Sequence, residues 1–491
     1  MATVPYDLQA RARRAVLEAG FQPDFPPEVI EEIQRLAQKA PHDAGPGVRD
    51  MRAVLWSSID NDTSRDLDQV EYVEPLPDGG TRLLVGVAEV DSCAPKGSAT
   101  DRQAGRQATS VYTGPATFPM LPGELSTDKT SLVEDQDRLS IVIDMRLRDS
   151  GEPPAPEVYR AWIRNHAKLA YNSTAAWLEG RGPMPPPIAR APGMEGQLRL
   201  QQKTSEKLRA CRKQQGALAF DSMEPVPTLI NGRVQGLTAR QHNVAEDIIE
   251  DFMVAANVAI AQYLKNHNTL SLRRVVRTPR RWDRIQAIAS RFAVKLPSAP
   301  DPRALSEFLD KRRAADPAHF PDLSLVVIKL LGPGEYIVES PGREKEGHFG
   351  LAATDYTHST APNRRYADLA TQRLLKGALA GTDTPYSQGE LSTVAAHCTE
   401  REDAARKVER LMRKVMAASL LSGRIGEVFD GLVTGASPKG TYARLLNFPA
   451  EGRVVRGSNG IDVGDKVRVR LIAVDADRGY IDFEKVDARI P

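Results

Sequence analysis

Residues 58–69 read SIDNDTSRDLDQ. Asp60, Asp62, Asp66 and Asp68 fall within nine positions, and the run closes on Gln69 rather than on a fifth acid. Carboxylates crowded this closely repel one another unless something positive sits among them. Three arrangements produce such a run: a solvated acidic turn, a calcium loop, or a magnesium site for phosphoryl transfer. The calcium loop fits poorly. Asp60, Asp62, Ser64, Asp66, Asp68 and Glu71 match EF-hand positions 1, 3, 5, 7, 9 and 12, but position 6 is Arg65 where the sharp turn needs Gly. The preceding AVLWSSI (53–59) also reads as a strand, not a helix. Mg²⁺ takes hard oxygen ligands and is usually held by a few carboxylates plus substrate phosphate. Two such ions can activate a water and hold the leaving oxygen. The run alone does not separate a magnesium site from a solvated turn.

Outward from the run, the 491 residues exceed one core, and two to four domains are expected. Residues 1–48 read as a helical segment. Leu8, Ala12, Ala15, Val16 and Ala19 keep helical spacing up to Gly20, and a second helix starts near Pro26–Pro27. The pair is either a small helix-turn-helix-like unit or an arm docked on the main body, with APHDAGPG (40–47) as linker. Residues 49–422 form the main domain. Strand-like runs (82–90, 139–145) come early, and helical stretches (161–179, 197–213, 243–265, 367–380) dominate later, an α+β pattern. PMPPPIARAPG (183–193) and LPSAPDP (296–302) read as loops. The domain ends in one long helix over 389–420, whose apolar stripe runs from Leu391 to Leu420. Residues 423–491 switch to short alternating strands with Gly-containing turns, which suits a small five-stranded barrel.

Net charge is +2, so any nucleic-acid affinity must come from local patches. No apolar run approaches a membrane span, and the N-terminus lacks the apolar centre of a signal peptide. Three well-separated cysteines, Cys93, Cys211 and Cys398, favour a reducing cytoplasm over a disulfide framework.

Two more blocks follow the acidic run in order. LLVGVAEVDSCAPKGSATDRQAGRQATSVYTGPATFPMLPGELS spans 83–126, and GHFGLAATDYTHSTAPNRRYADLATQRLLKG spans 347–377. Together with SIDNDTSRDLDQ they resemble the signature blocks of the RNB (ribonuclease II / ribonuclease R) family of exoribonucleases. The C-terminal barrel resembles the S1 domain, an OB-type RNA-binding module that usually closes this family. The resemblance covers nearly everything from residue 50 onward.

It implies a hydrolytic 3′→5′ exoribonuclease that threads single-stranded RNA into a closed channel and degrades it processively to nucleoside 5′-monophosphates. Mg²⁺ is the implied cofactor, with Mn²⁺ as a substitute, and the implied state is a monomer. The four signature acids fall at Asp60, Asp66, Asp68 and Gln69. By that match Asp60, Asp66, Asp68 and Gln69 form the metal site, and Asp68 takes the position on which cleavage most depends, by metal binding or by orienting the attacking water. Asp62 lies at a variable position. Gln69 departs from the pattern: its amide oxygen can ligate a metal but brings no charge. Activity with weakened metal binding is expected; the alternative is an RNA-binding protein of the same fold that has lost catalysis. A magnesium phosphodiesterase acting on DNA or small nucleotides is a third reading, disfavoured by the S1-like barrel.

The resemblance also assigns RNA contacts. Arg364 matches the family's catalytic arginine, suited to bracing charge on phosphate oxygens, and Arg365 is its neighbour. Tyr112 matches a tyrosine that stacks on the 3′-terminal nucleotides, with Phe220 as its partner in a clamp. Tyr171 matches a channel tyrosine, and Glu250 and Glu409 match acids near the substrate. Two basic features fit an RNA path. SLRRVVRTPRR (271–281) carries five arginines. In VGDKVRVRL, Lys466, Arg468 and Arg470 share one strand face, with Phe429 and Tyr442 as stacking candidates on the barrel. The family often carries two cold-shock barrels ahead of the catalytic domain, which 48 helical residues cannot hold, so an RNA entrance of different build is expected.

Overall fold

The computed structural model describes residues 6–38, 47–147, 155–221, 224–230, 233–240, 242–317, 319–342, 346–437, 440–446, 448 and 450–486. The linker APHDAGPG lies outside the described residues except for Gly47.

The acidic run connects two strands of a closed sheet. Trp56–Asp60 leads into it and Gln69–Pro75 leads out. Gln69–Pro75 pairs antiparallel with Thr81–Ala88, which pairs antiparallel with Asp137–Leu147. That strand pairs antiparallel with the first half of Glu157–Ala170, whose second half runs parallel to Trp56–Asp60. A single antiparallel pairing, Ser57 opposite Glu71, joins Trp56–Asp60 to Gln69–Pro75 and completes the ring. Trp56, Leu83, Val85, Val87, Ile141, Ile143 and Ile163 are buried in its core. Each such side chain contributes about 1.5–3 kcal/mol by leaving water. Gly86 has no side chain because Val70 and Ile163 lie within 3.3 Å of where a Cβ would stand.

The sequence reading of a helix over 161–179 is corrected. Glu157–Ala170 is a strand, and the helix spans only Tyr171–Leu178. Ala161, Ile163, Asn165, Ala167 and Leu169 are all buried, a period of two rather than 3.6. Its alanines favour helix intrinsically, but the partner strands on either side decide the outcome. A short helix, Pro186–Arg190, also interrupts the expected loop at 183–193.

Helices Met194–Gln215 and Val244–Asn266 pack on each other and on the ring. Gln197 fixes the first to the sheet: its amide accepts from Val73 N at 2.7 Å and donates to Val73 O at 2.8 Å. The second starts on a capping box, Asn243 with Glu246. Helices Trp282–Arg291, Pro302–Ala315 and Phe320–Leu331 form a separate lobe around Trp282, Phe308 and Phe320.

The long helix, Gln388–Leu421, links every part. Leu391, Ala395 and Cys398 join the main core, and Ala405, Val408, Met412, Val415 and Met416 meet the N-terminal helix Leu8–Glu18. Its last turn, with Ala417, Ala418 and Leu421, enters the core of the C-terminal barrel. The barrel is closed by five strands: Val428–Ser437, Gly440–Leu445, Glu451–Arg456, Lys466–Asp475 and Tyr480–Val486. The N-terminal helix is docked rather than free. Tyr6 Oη donates to Asp477 Oδ1 at 2.8 Å and Arg11 Nε donates to Asp477 O at 2.9 Å, which ties it to the barrel.

Candidate active site

The ring's register brings the acidic run to one wall of a cavity of about 690 Å³. Asp60 closes its strand opposite Ala170, so the next residue, Tyr171, opens its helix beside it. Asp60 Oδ1 accepts from Asn61 N at 2.7 Å and Ser64 Oγ at 2.9 Å, which fixes the carboxylate. Asp60, Asp66, Gln69, Tyr112, Tyr171 and Arg364 all line this cavity.

Asp68, expected in the metal site, is not among the residues lining the cavity; it is buried behind Arg364, 2% exposed. Its Oδ1 accepts from Asn363 N at 2.9 Å, and its Oδ2 lies 3.4 Å from Arg364 Nε. Burial pushes its carboxyl up to about 7, against the opposing pull of Arg364 and of the Asn363 N–H. Burial also raises the Asp66 carboxyl, and Tyr112 Oη lies 3.4 Å from Asp66 Oδ2.

The segment bearing Arg364 is held on several sides. Ser110 N donates to Arg364 O at 3.0 Å and Tyr366 N to Ala108 O at 2.8 Å, so the Tyr112 and Arg364 segments are joined main chain to main chain. Asp368, fully buried, accepts from Ala361 N at 2.8 Å and from Arg365 at 2.7 and 2.9 Å. Arg365 is therefore committed to this pair, while the Arg364 side chain is 43% exposed beside Asp68. Tyr112 is itself 41% exposed, and its N–H donates to Glu409 Oε1 at 3.1 Å. Tyr112 and Arg364 stand between the large cavity and a smaller one of about 240 Å³ lined by Arg365, Glu402, Arg406 and Glu409.

Other expected contacts fall elsewhere. Phe220 packs into the lobe of Trp282 and Phe308 and is not among the residues lining the acidic cavity. Glu250 is exposed, 3.9 Å from His242; Glu246, one turn earlier, lines the cavity instead. The arginine stretch is corrected at two of its five arginines; Arg277 is exposed and paired with Glu335 and Glu346, and Arg280 and Arg281 are exposed. Ser271–Val275 is a buried strand, in which Arg273 pairs with Glu339 at 3.1 Å and Arg274 with Glu402 at 2.7 Å. On the barrel, Lys466, Arg468 and Arg470 alternate with buried Val467, Val469 and Leu471. Arg470 is paired with Glu484 at 2.8 Å, and Arg468 lies 3.8 Å from Asp430. Phe429 packs against the barrel core under Arg424, whose guanidinium is 4.7 Å from its ring, and Tyr442 is half-buried.

His242, Glu246, Asn61 and Thr360, none of them a sequence-predicted site residue, also line the cavity. Glu246 was within reach of sequence reading through the Asn243–Glu246 capping box. Asn363 was not, because it acts through its main-chain N–H.

Among the described residues, no three His, Cys, Asp or Glu side chains form a ready-made metal cluster. His242 and Glu246 line the cavity, and at the signature positions the donors that face it, Asp60, Asp66 and the Gln69 amide, are all oxygens. Behind them, both carboxylate oxygens of fully buried Glu71 have no hydrogen-bond partner among the described residues. An all-oxygen set of few carboxylates with a neighbouring orphaned acid suits Mg²⁺ that completes its shell with water and substrate phosphate.

Comparison with known proteins fits this site. The RNB domain family matches residues 48–381, and the C-terminal S1 domain of RNase II-type exonucleases matches residues 427–486. The chain belongs to the RNB family, a family of exoribonucleases. It is 28% identical to ribonuclease R of Aquifex aeolicus, over 94% of this chain and 68% of that protein. It is also 28% identical to ribonuclease R of Escherichia coli, over 94% of this chain and 60% of that protein. The chain thus spans roughly two thirds of the length of these curated relatives. The fold is shared with Mycoplasma genitalium RNase R in complex with ribose methylated single-stranded RNA, at a TM-score of 0.87 and 21% identity, over 98% of this chain and 78% of that one. Yeast Ssd1, described as a pseudonuclease, shares it at a TM-score of 0.74 and 16% identity, over 96% of this chain and 59% of that one. The fold by itself therefore does not separate a nuclease from a non-nuclease. Among the described residues, no helix is long and apolar enough to cross a membrane.

Proposed function

We propose that the protein is a metal-dependent 3′→5′ exoribonuclease that degrades single-stranded RNA to nucleoside 5′-monophosphates. The observation that carries this reading is the convergence of Asp60, Asp66, Gln69, Tyr112 and Arg364 on one cavity, with Asp68 buried behind it between Asn363 N and Arg364. Asp60, Asp66 and the Gln69 amide oxygen are the residues that would hold Mg²⁺. When bound, it supplies positive charge against the phosphate and lowers the pKa of a water. Arg364 lines the cavity with its side chain 43% exposed, and a guanidinium there would brace the charge that grows on phosphate oxygens; preformed donors of this kind lower the barrier without reorganising. Asp68, a carboxylate raised towards neutrality, accepts a proton from the attacking water more readily than an ordinary aspartate. The exposed Tyr112 ring offers a face to the terminal base without reading sequence. Lys466 and the neighbouring barrel face guide the upstream strand.

Gln69 and the pseudonuclease neighbour give one competing reading, an RNA-binding protein without catalysis. The two separate on products. RNA labelled at its 5′ end, incubated with Mg²⁺, is expected to shorten stepwise while thin-layer chromatography shows mononucleotides bearing a 5′-phosphate. A 3′-terminal block is expected to stop it. Internal fragments, or 3′-phosphorylated products, would exclude the proposed chemistry.

A further inference from the structure

Glu71 lies two residues past Gln69 on the strand Gln69–Pro75. Alternate residues of a strand share a face, and Gln69 is on the face that opens to the cavity. Glu71 is thus the next side chain inward from the cavity floor, opposite Ser57 on one neighbouring strand and Val85 on the other. It is 0% exposed, and neither Oε has a hydrogen-bond partner among the described residues. Gln201, the nearest amide, is directed elsewhere: its Nε2 lies 3.2 Å from Ser57 Oγ and 3.4 Å from the Glu71 main-chain oxygen.

A glutamate is almost never fully buried without a partner. The carboxylate has neither a cation nor a donor within hydrogen-bond reach among the described residues. Two cavity residues, Asp60 and Tyr171, lie within electrostatic reach of its side chain. The same segment that lacks an acid at position 69 therefore carries an unsatisfied one at position 71, on the same face.

We propose that Glu71 supplies the metal site with the carboxylate that Gln69 lacks. The inference rests on the metal-site reading above. It makes the chain a member of the family in which the fourth negative charge has moved two residues along its strand, and it offers a site with an amide at position 69 a replacement for the missing charge.

The test is Mn²⁺ binding to the full chain, read by electron paramagnetic resonance. It is run alone and with a single-stranded RNA whose 3′-terminal phosphorothioate linkages resist cleavage. Glu71→Gln keeps the size and removes the charge; it is expected to weaken Mn²⁺ binding about tenfold or more without lowering the melting temperature. Adding Gln69→Asp to that variant is expected to restore binding, which a purely structural role for Glu71 does not predict. Glu71→Asp, which keeps the charge on a shorter stem, is expected to fall between the two and serves as the second variant. Unchanged Mn²⁺ affinity in Glu71→Gln, or a loss that Gln69→Asp does not recover, overturns the proposal. A wild-type chain that binds Mn²⁺ and shortens RNA while Glu71→Gln binds equally well overturns this proposal alone. Wild type that binds no Mn²⁺ in either condition overturns it together with the metal-site reading.

Discussion

Replacing Asp368 by Asn is expected to damage both stability and rate, although Asp368 does not line the acidic cavity. Its carboxylate is fully buried and accepts three hydrogen bonds: from Ala361 N at 2.8 Å and from Arg365 at 2.7 and 2.9 Å. An amide of the same shape keeps one acceptor and turns an NH₂ towards donors. Removing one partner of a buried pair costs about 3–5 kcal/mol. The Arg365 side chain is 22% exposed, so water relieves part of this, leaving about 2–4 kcal/mol. The functional consequence runs through the segment 361–365. Asn363 N holds Asp68 and Arg364 faces it, so loosening Ala361 releases both. A displacement of about 1 Å at reacting groups costs about 10²-fold in rate. The assay pairs denaturant unfolding with single-turnover cleavage. A fall in stability together with a fall in cleavage rate, with RNA affinity nearly unchanged, is expected. An Asp368→Asn chain of wild-type stability and rate would refute this reasoning and show that the Arg364 segment is held by other contacts.

Three further outcomes follow from the same geometry. Tyr112→Ala removes the exposed ring at the cavity and is expected to weaken binding of the RNA 3′ end by about 1–3 kcal/mol, measured by fluorescence anisotropy with short oligonucleotides. Lys466→Ala is expected to lower the slope of log affinity against log salt by about 0.7, whereas Arg470→Ala, whose guanidinium is already paired with Glu484, lowers it less. His348 accepts from Leu351 N through Nδ1, and burial pushes its pKa down to about 4. A depressed histidine binds fewer protons folded than unfolded below about pH 6.5, so its contribution is complete above that value and is lost as pH falls towards 4. His348→Gln is expected to flatten the acid side of the melting-temperature profile over that window and leave the alkaline side unchanged.

Much of this arrangement was legible in the chain. The alternation of apolar and polar residues in VRVRL shows directly as buried and exposed side chains on Lys466–Asp475. The long helix declared itself through a stripe whose members now bury against three different partners. The strand Glu157–Ala170 was read as helix because its alanines mask a period of two that only partner strands make decisive. Arg273 and Arg274 read as a basic patch because sequence does not show Glu339 and Glu402, which come from distant segments to neutralise them. Phe220 illustrates the limit of matching by neighbourhood: its ring has an apolar lobe to fill, built from helices 60 to 100 residues downstream. Glu71 entered the sequence reading only as the last position of a calcium loop that does not fit, and its significance lies in what fails to surround it.

The central claim is that Asp60, Asp66, Asp68, Gln69 and Arg364 form a working hydrolytic site. A time course on 5′-labelled single-stranded RNA, run with Mg²⁺, with EDTA and with Asp68→Asn, tests it most directly. Shortening to a small labelled end product with Mg²⁺, abolished by EDTA and by Asp68→Asn, is the expected result. Intact RNA in every lane, retarded in a gel shift, would contradict it and leave an RNA-binding protein in which the amide at position 69 has ended catalysis.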